Sequence, residues 1–263
     1  MKKYYKILAI LLRNSYIRDS KIPGFVISNM VFNFVEILFT IIFFNVIFNN
    51  TQTLAGWNFY QILFLYMIAK FVSSFHGIFT KRGTNNMSHD LIRQGDLDLY
   101  LIKPADPMFM VSISRPQVYG VISIIFELML AGYAIAHTGI TIGALNIIWF
   151  IILMFLSIIL FYYLRWITLI PVFWTIRLFS LRDIMSRLGQ FMRYPAGVFP
   201  AMIKWALFVL FPIMIVSYIP ARTIFYSPNI LIIGYMFIIT LVFAIFTKYL
   251  WNLGLRHYGS ASS

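Results

Sequence analysis

The chain of 263 residues contains no cysteine, which excludes disulfide bonds and thiolate metal sites. Acid is scarce too: eight Asp and Glu stand against 21 Lys and Arg, for a formal net charge of +13. Four of the eight, Asp90, Asp96, Asp98 and Asp106, fall within Ser88–Arg115. Basic residues are missing from two long stretches, between Lys21 and Lys70 and between Arg115 and Arg165. There is no GxxxxGK[ST] loop for the phosphates of ATP, no HExxH pair and no GxSxG elbow. The four histidines, His76, His89, His137 and His257, are scattered over separate segments. No enzyme, metal centre or bound cofactor is expected of this chain.

What remains is oil. The chain is 61% hydrophobic and 19% aromatic, with only 11% charged residues and a mean hydropathy of +0.84. Soluble domains carry about 25% charged residues, and no soluble fold could hide this much apolar surface. The expected class is an all-α polytopic membrane protein forming one membrane domain over 1–263. The basic residues cluster in short segments flanking apolar runs, as in loops facing anionic lipid. Nothing suggests a surface that tracks nucleic acid.

A membrane span needs about 20 largely apolar residues. Residues 1–22 carry Lys2, Lys3, Lys6, Arg13, Arg18 and Lys21 around a stripe of Ile7, Leu8, Leu11 and Leu12. That pattern predicts an interfacial helix, and its charge places the N-terminus in the cytosol. Its apolar core is too short for a signal peptide, and no small-residue cleavage site follows. Spans are expected at about 25–48, 58–80, 116–136 and 142–164, with 81–115 as a cytosolic loop. Two arrangements fit the next part. In one, 165–202 stays at the cytosolic face and a fifth span covers 203–219. This avoids burying Arg165, Arg177, Arg182, Arg187 and Arg193, each costing about 2.5–3.5 kcal/mol at a span centre. In the other, the fourth span runs to about 178, 183–199 is the fifth, and 201–222 is a re-entrant hairpin broken at Pro212. Both end with a sixth span at 229–250 and a cytosolic tail.

Ionisable residues inside spans are functional candidates by default. Glu36, Lys70, His76 and Glu127 are those residues here. A structural ion pair, for instance Glu36 with Lys70, is the competing reading. In the charged loop, Gly95 can take a positive φ and end a short helix over Ser88–Gln94. Asp96 can cap a further turn, with Asp98 beside its positive end. Leu97, Tyr100 and Leu101 would then share a face, although Leu97, Leu99 and Leu101 also alternate as in a strand. Pro104 and Pro107 would stop either.

The run Arg93-x-Gly95-Asp96-Leu97-Asp98-x-Tyr100-Leu101-x-Lys103-Pro104 resembles that of type-2 ATP-binding-cassette (ABC) exporter permeases. The closest branch is the one with a separate six-span permease polypeptide. Tyr194-Pro195, Phe199-Pro200, Pro212, Tyr218-x-Pro220-Ala221 and the tail Tyr258-x-Ser260-Ala261-Ser262 follow in the order typical of that branch. The resemblance implies two permeases, identical or homologous, and two ABC ATPase subunits that use ATP and Mg. It implies an interfacial N-terminal helix, a cytosolic coupling helix and a re-entrant hairpin before the last span. Leu91, Arg93, Gly95, Asp96, Leu97, Asp98, Tyr100, Leu101, Lys103 and Pro104 become the expected ATPase contact. The expected function is export by alternating access across a bacterial cell membrane, with both termini cytosolic. An ion-coupled secondary transporter, or a membrane enzyme acting on lipid, is the alternative.

Overall fold

The computed structural model describes residues 2–85, 91, 92, 94–174 and 186–259, with side chains from Lys6 onward except at 85. Helices dominate, and the described residues contain no strand, only a bridge between Leu54 and Trp57. Helix α1 (Lys2–Ser20) is followed by α2 (Pro23–Asn50), where Pro23 occupies the first turn. Proline is well placed there, because its missing N–H has no helical partner to lose. Helix α3 (Phe59–His76) opens on a capping box: Asn58 Oδ1 accepts from Gln61 N, and Gln61 Oε1 accepts from Asn58 N, both at 2.9 Å. A π turn (Gly77–Lys81) and α4 (Arg82–Asn85) extend α3, giving an apolar run over Phe59–Thr84.

The charged loop holds α5 (Asp98–Leu101) and α6 (Pro107–Ile113). Pro107, expected to stop a helix, instead starts one: Asp106 caps α6 by accepting from Phe109 N at 2.8 Å. Asp96 is not a cap, since Leu97 holds that position of α5. The 88–94 helix lies largely outside the described residues. Helix α7 (Gly120–Ala136) is shorter than the expected third span. Helix α8 (Ala144–Leu169) continues as a 3-10 turn through Phe173, so the fourth apolar run passes Arg165.

Beyond 186, 3-10 turns at Gly189–Arg193 and Ala196–Val198 lead to α9 (Ala201–Trp205) with a π turn over Ala206–Leu210. Helix α10 (Ile215–Phe225) follows at an angle of 103°. The straight fifth span expected at 203–219 is therefore corrected. Pro212 has no N–H to continue a helix, and the chain turns there. Helix α11 (Ile230–His257) closes the fold.

Four helical runs are long and apolar enough to cross a membrane, or five if the bent pair counts as one. Their burial differs sharply. The most apolar window of the α3 run is 67% buried, that of α2 only 11%. Helix α3 is thus the axis, packed by α7, α8 and α10, with α2 leaning on its outside. Outward residues such as Phe32, Phe39, Ile151, Phe155, Leu231 and Leu241 are apolar and exposed, as suits a hydrocarbon solvent.

One end of the bundle gathers the 51–57 loop, the start of α8 and the end of α10. Trp57 packs against Tyr218, Phe225 and Tyr226. Asn146 Nδ2 donates to Thr223 O at 2.9 Å and Tyr226 O at 3.1 Å. Gly197 comes so close to Ala55 that a Cβ on it would lie 2.9 Å from the alanine's. The opposite end carries the charged loop on a second apolar cluster, formed by Leu91, Leu97, Met108, Val111, Trp166, Ile170, Val172 and Trp251.

Candidate functional site

The intramembrane candidates converge where α2 crosses α3. Glu36 Oε2 lies 2.9 Å from Lys70 Nζ, and Glu36 Oε1 lies 2.7 Å from Arg193 Nη2. Lys70 also donates to Asn33 Oδ1 at 2.5 Å. One turn along α3, Ser74 donates to Glu127 Oε1 at 2.7 Å, and Glu127 is fully buried. The arginine plane lies over the Tyr66 ring at 5.7 Å, and the Tyr66 hydroxyl lies 3.1 Å from Thr40 Oγ1. A crevice of about 470 Å³ runs alongside, lined by Asn33, Glu36, Lys70, Ser74 and Lys81 among others.

His76 makes its contacts elsewhere. It lies within 2.6 Å of Thr80 Oγ1 and edge-on to Phe161 of α8 at 5.3 Å. Glu36, Lys70 and Glu127 share one neighbourhood, and His76 packs towards α8. Arg193, which the sequence presented as a cation too costly to bury, is neutralised by a carboxylate from a distant helix. The spacing of Asn29, Asn33, Glu36 and Thr40 along α2 matches a polar stripe of Tyr66, Lys70, Ser73 and Ser74 on α3. Those stripes were the available signal for Asn33 and Ser74.

The charged loop divides into an inner and an outer face. Leu91 and Leu97 are buried at 5% and 0% exposure, and Leu97 N donates to Leu91 O at 2.9 Å. Both of these expected ATPase contacts have side chains taken up by the second cluster. Gly95 holds φ at 80° and turns the chain between them. Outside lie Leu99, Leu101, Ile102, Lys103 and Pro104, with Ile102 79% exposed. Lys103 Nζ sits over the Tyr100 ring at 4.6 Å, while Asp96 and Asp98 are half-buried. Arg93 lies outside the described residues.

The ends of α8 and α11 brace this loop from beneath. Trp166 and Trp251 stack edge to face at 5.0 Å, and Trp166 Nε1 donates to Ser112 Oγ at 3.1 Å. Phe173 presses on Gly254, where any Cβ would collide with the ring. Burial pushes the Tyr258 phenol up to about 12, and the carboxylates of Asp98 and Asp96 add to the rise. The neutral ring, 6.3 Å from Phe173, brings the tail onto the same platform. Helix α1 joins from the side: Arg18 Nη2 donates to Pro116 O at 2.7 Å, and Asp19 Oδ1 lies 3.6 Å from Arg82.

A family model described as ABC-2 family transporter protein matches residues 34–262, across all these elements except α1 and the start of α2. The chain belongs to that family. This ABC-2 permease is a transmembrane transport component rather than a catalyst, integral to a membrane, in a family that generally pairs with ABC ATPase subunits. No curated protein and no solved structure matches the permease.

Proposed function

We propose that this chain exports a substrate by alternating access, driven by ATP hydrolysis in two separate ABC ATPase subunits and paired with a second permease, identical or homologous. ATP and Mg²⁺ belong to those partners. Both termini and the charged loop face the cytosol of a bacterial cell, in keeping with the basic residues at that end. The observation that carries the reading is the two-faced loop. Its tip exposes Leu99, Leu101 and Ile102 beside Lys103, an apolar patch that an isolated loop has no reason to keep out. Its underside is fixed by Leu97 to Trp166 and Trp251 at the ends of α8 and α11. A push on the tip is therefore delivered to two spans, and α5 is the coupling helix.

Ile102→Asp tests the docking. The variant is expected to insert and fold as wild type, because Ile102 is 79% exposed. Its capture of the ATPase subunits, read by co-purification from membranes expressing both, should fall at least tenfold. Normal capture together with normal nucleotide-driven transport would remove the coupling assignment.

A further inference from the structure

We propose that the crevice between α2, α3 and α7 takes the anionic head of an amphiphile whose apolar tail stays in the surrounding lipid. The proposal rests on the permease reading and names the class of its cargo. The crevice measures about 470 Å³, and polar groups of Asn33, Lys70, Ser73 and Ser74 line it beside Glu36. It lies between helices, not at the tip of a loop. Phe32 also lines it and is 75% exposed on the outer side of α2. Polar volume therefore opens sideways, towards the face that meets lipid. A wholly polar solute would leave the apolar part of the lining, Phe32 and Ile78, without a partner. A wholly apolar one would leave the polar floor unsatisfied, at a cost for each group. An amphiphile lying in the leaflet meets neither objection, since its head enters and its tail remains beside Phe32.

Hydrogen-bond capacity gives the polarity of the head. Lys70 is 8% exposed and carries three N–H donors. Two of them are used, by Asn33 at 2.5 Å and Glu36 at 2.9 Å. Both oxygens of Glu36 are engaged already, by Lys70 and Arg193. What Lys70 has left to offer is a donor. The matching head presents acceptor oxygens, as a phosphate or carboxylate does.

Gly77 provides a clean test. It lines the crevice with an ordinary helical φ of −54°, and a Cβ placed there meets nothing within 4 Å. A larger side chain would occupy the crevice without displacing a neighbour. Gly120 would not serve, because its Cβ would fall 2.6 Å from Ile78. The full-length chain, with and without its ATPase, is placed in nanodiscs of zwitterionic lipid. It is titrated with a fluorescent single-chain phosphate amphiphile, with the phosphocholine analogue and inorganic phosphate as comparisons. Saturable binding of the phosphate amphiphile is expected, at least tenfold tighter than the phosphocholine probe and not competed by inorganic phosphate. Gly77→Leu should weaken it at least tenfold, and Gly77→Ala by less. Gly132→Leu, at an equally open glycine outside the crevice lining, should bind as wild type.

Unchanged binding by Gly77→Leu overturns the proposal. A preference for phosphocholine overturns the anionic head, and competition by inorganic phosphate overturns the tail. If Gly77→Leu instead loses association with a second copy or the ATPase, the crevice is an assembly surface and the proposal fails. Wild type that captures the ATPase yet binds no probe sinks the cargo class alone. Failure to capture any ATPase sinks the proposed ATP-driven export itself.

Discussion

Glu36 is the residue on which three parts of the chain depend. It accepts from Lys70 of α3 and Arg193 of the 189–193 turn, so one carboxylate ties α2 to two other elements. Removing one partner of a buried ion pair costs about 3–5 kcal/mol, because the charge left behind is uncompensated. The Glu36 side chain is 41% exposed, and on the order of 2 kcal/mol is the fitting expectation for Glu36→Ala once that exposure discounts the buried-pair figure. Lys70→Met should cost less, since Glu36 keeps Arg193. The double variant should be more stable than the sum of the two losses. Thermal unfolding of the purified protein in detergent reads all three, and strict additivity would mean that the pair is not coupled. The Glu36–Lys70 pairing could be read from the sequence because each residue interrupts an apolar run. The third member could not, because Arg193 follows residues whose spans are set by packing and not by hydropathy.

The loop of α5 and α6 shows where periodicity stops being informative. Leu97, Tyr100 and Leu101 are spaced for one helical face, yet α5 is four residues long, too short to present a face. Position relative to the Gly95 turn decides burial instead. Leu97, directly after the turn, falls onto Trp166 and Trp251, and Ile102, past the helix, points away. The charged loop was therefore legible in the sequence, while its inner and outer residues were not. The element's mechanics follow from the anchor. Leu97→Asp would place a carboxylate in an apolar cluster, with a penalty of about 3 kcal/mol or more. Because the rest of the bundle has its own core around α3, the loss should be local. Hydrogen exchange over 94–113 should speed up at least tenfold while α3 and α8 keep their protection. ATPase capture should survive in part and nucleotide-driven transport should fail, since the tip would be present but detached from α8 and α11. Full transport with an unprotected loop would show that the push travels by another route.

At the scale of the whole molecule, the paired apolar runs, the N-terminal helix and the all-helical class were written in composition and charge. The path from 165 to 229 was not, because two arrangements satisfy the same hydropathy. Packing separates them at the hairpin, while neither expected fifth span forms as a straight helix among the described residues: 189–193 and 196–198 are short 3-10 turns. Val198 follows Gly197, which touches Ala55 of the 51–57 loop, and the 215–225 helix ends against Trp57. If α9 and α10 formed one broken span, 198 would sit at the charged-loop end of the bundle. If they form a re-entrant hairpin, both 198 and 227 lie at the end that holds residue 53. The absence of cysteine makes this directly measurable, because each introduced thiol is then the sole target of a membrane-impermeant maleimide. Thr53→Cys, Val198→Cys and Ser227→Cys, all at exposed positions, are expected to label in intact cells. Gln94→Cys, exposed on the charged loop, should label only after the membrane is permeabilised. Protection of 198 in intact cells alongside labelling of 53 and 227 would convert the hairpin into a broken span. It would also move Arg193 to the cytosolic side of the bundle, where its bond to Glu36 could not form as the structure draws it. The labelling pattern and the Glu36 stability series therefore have to agree.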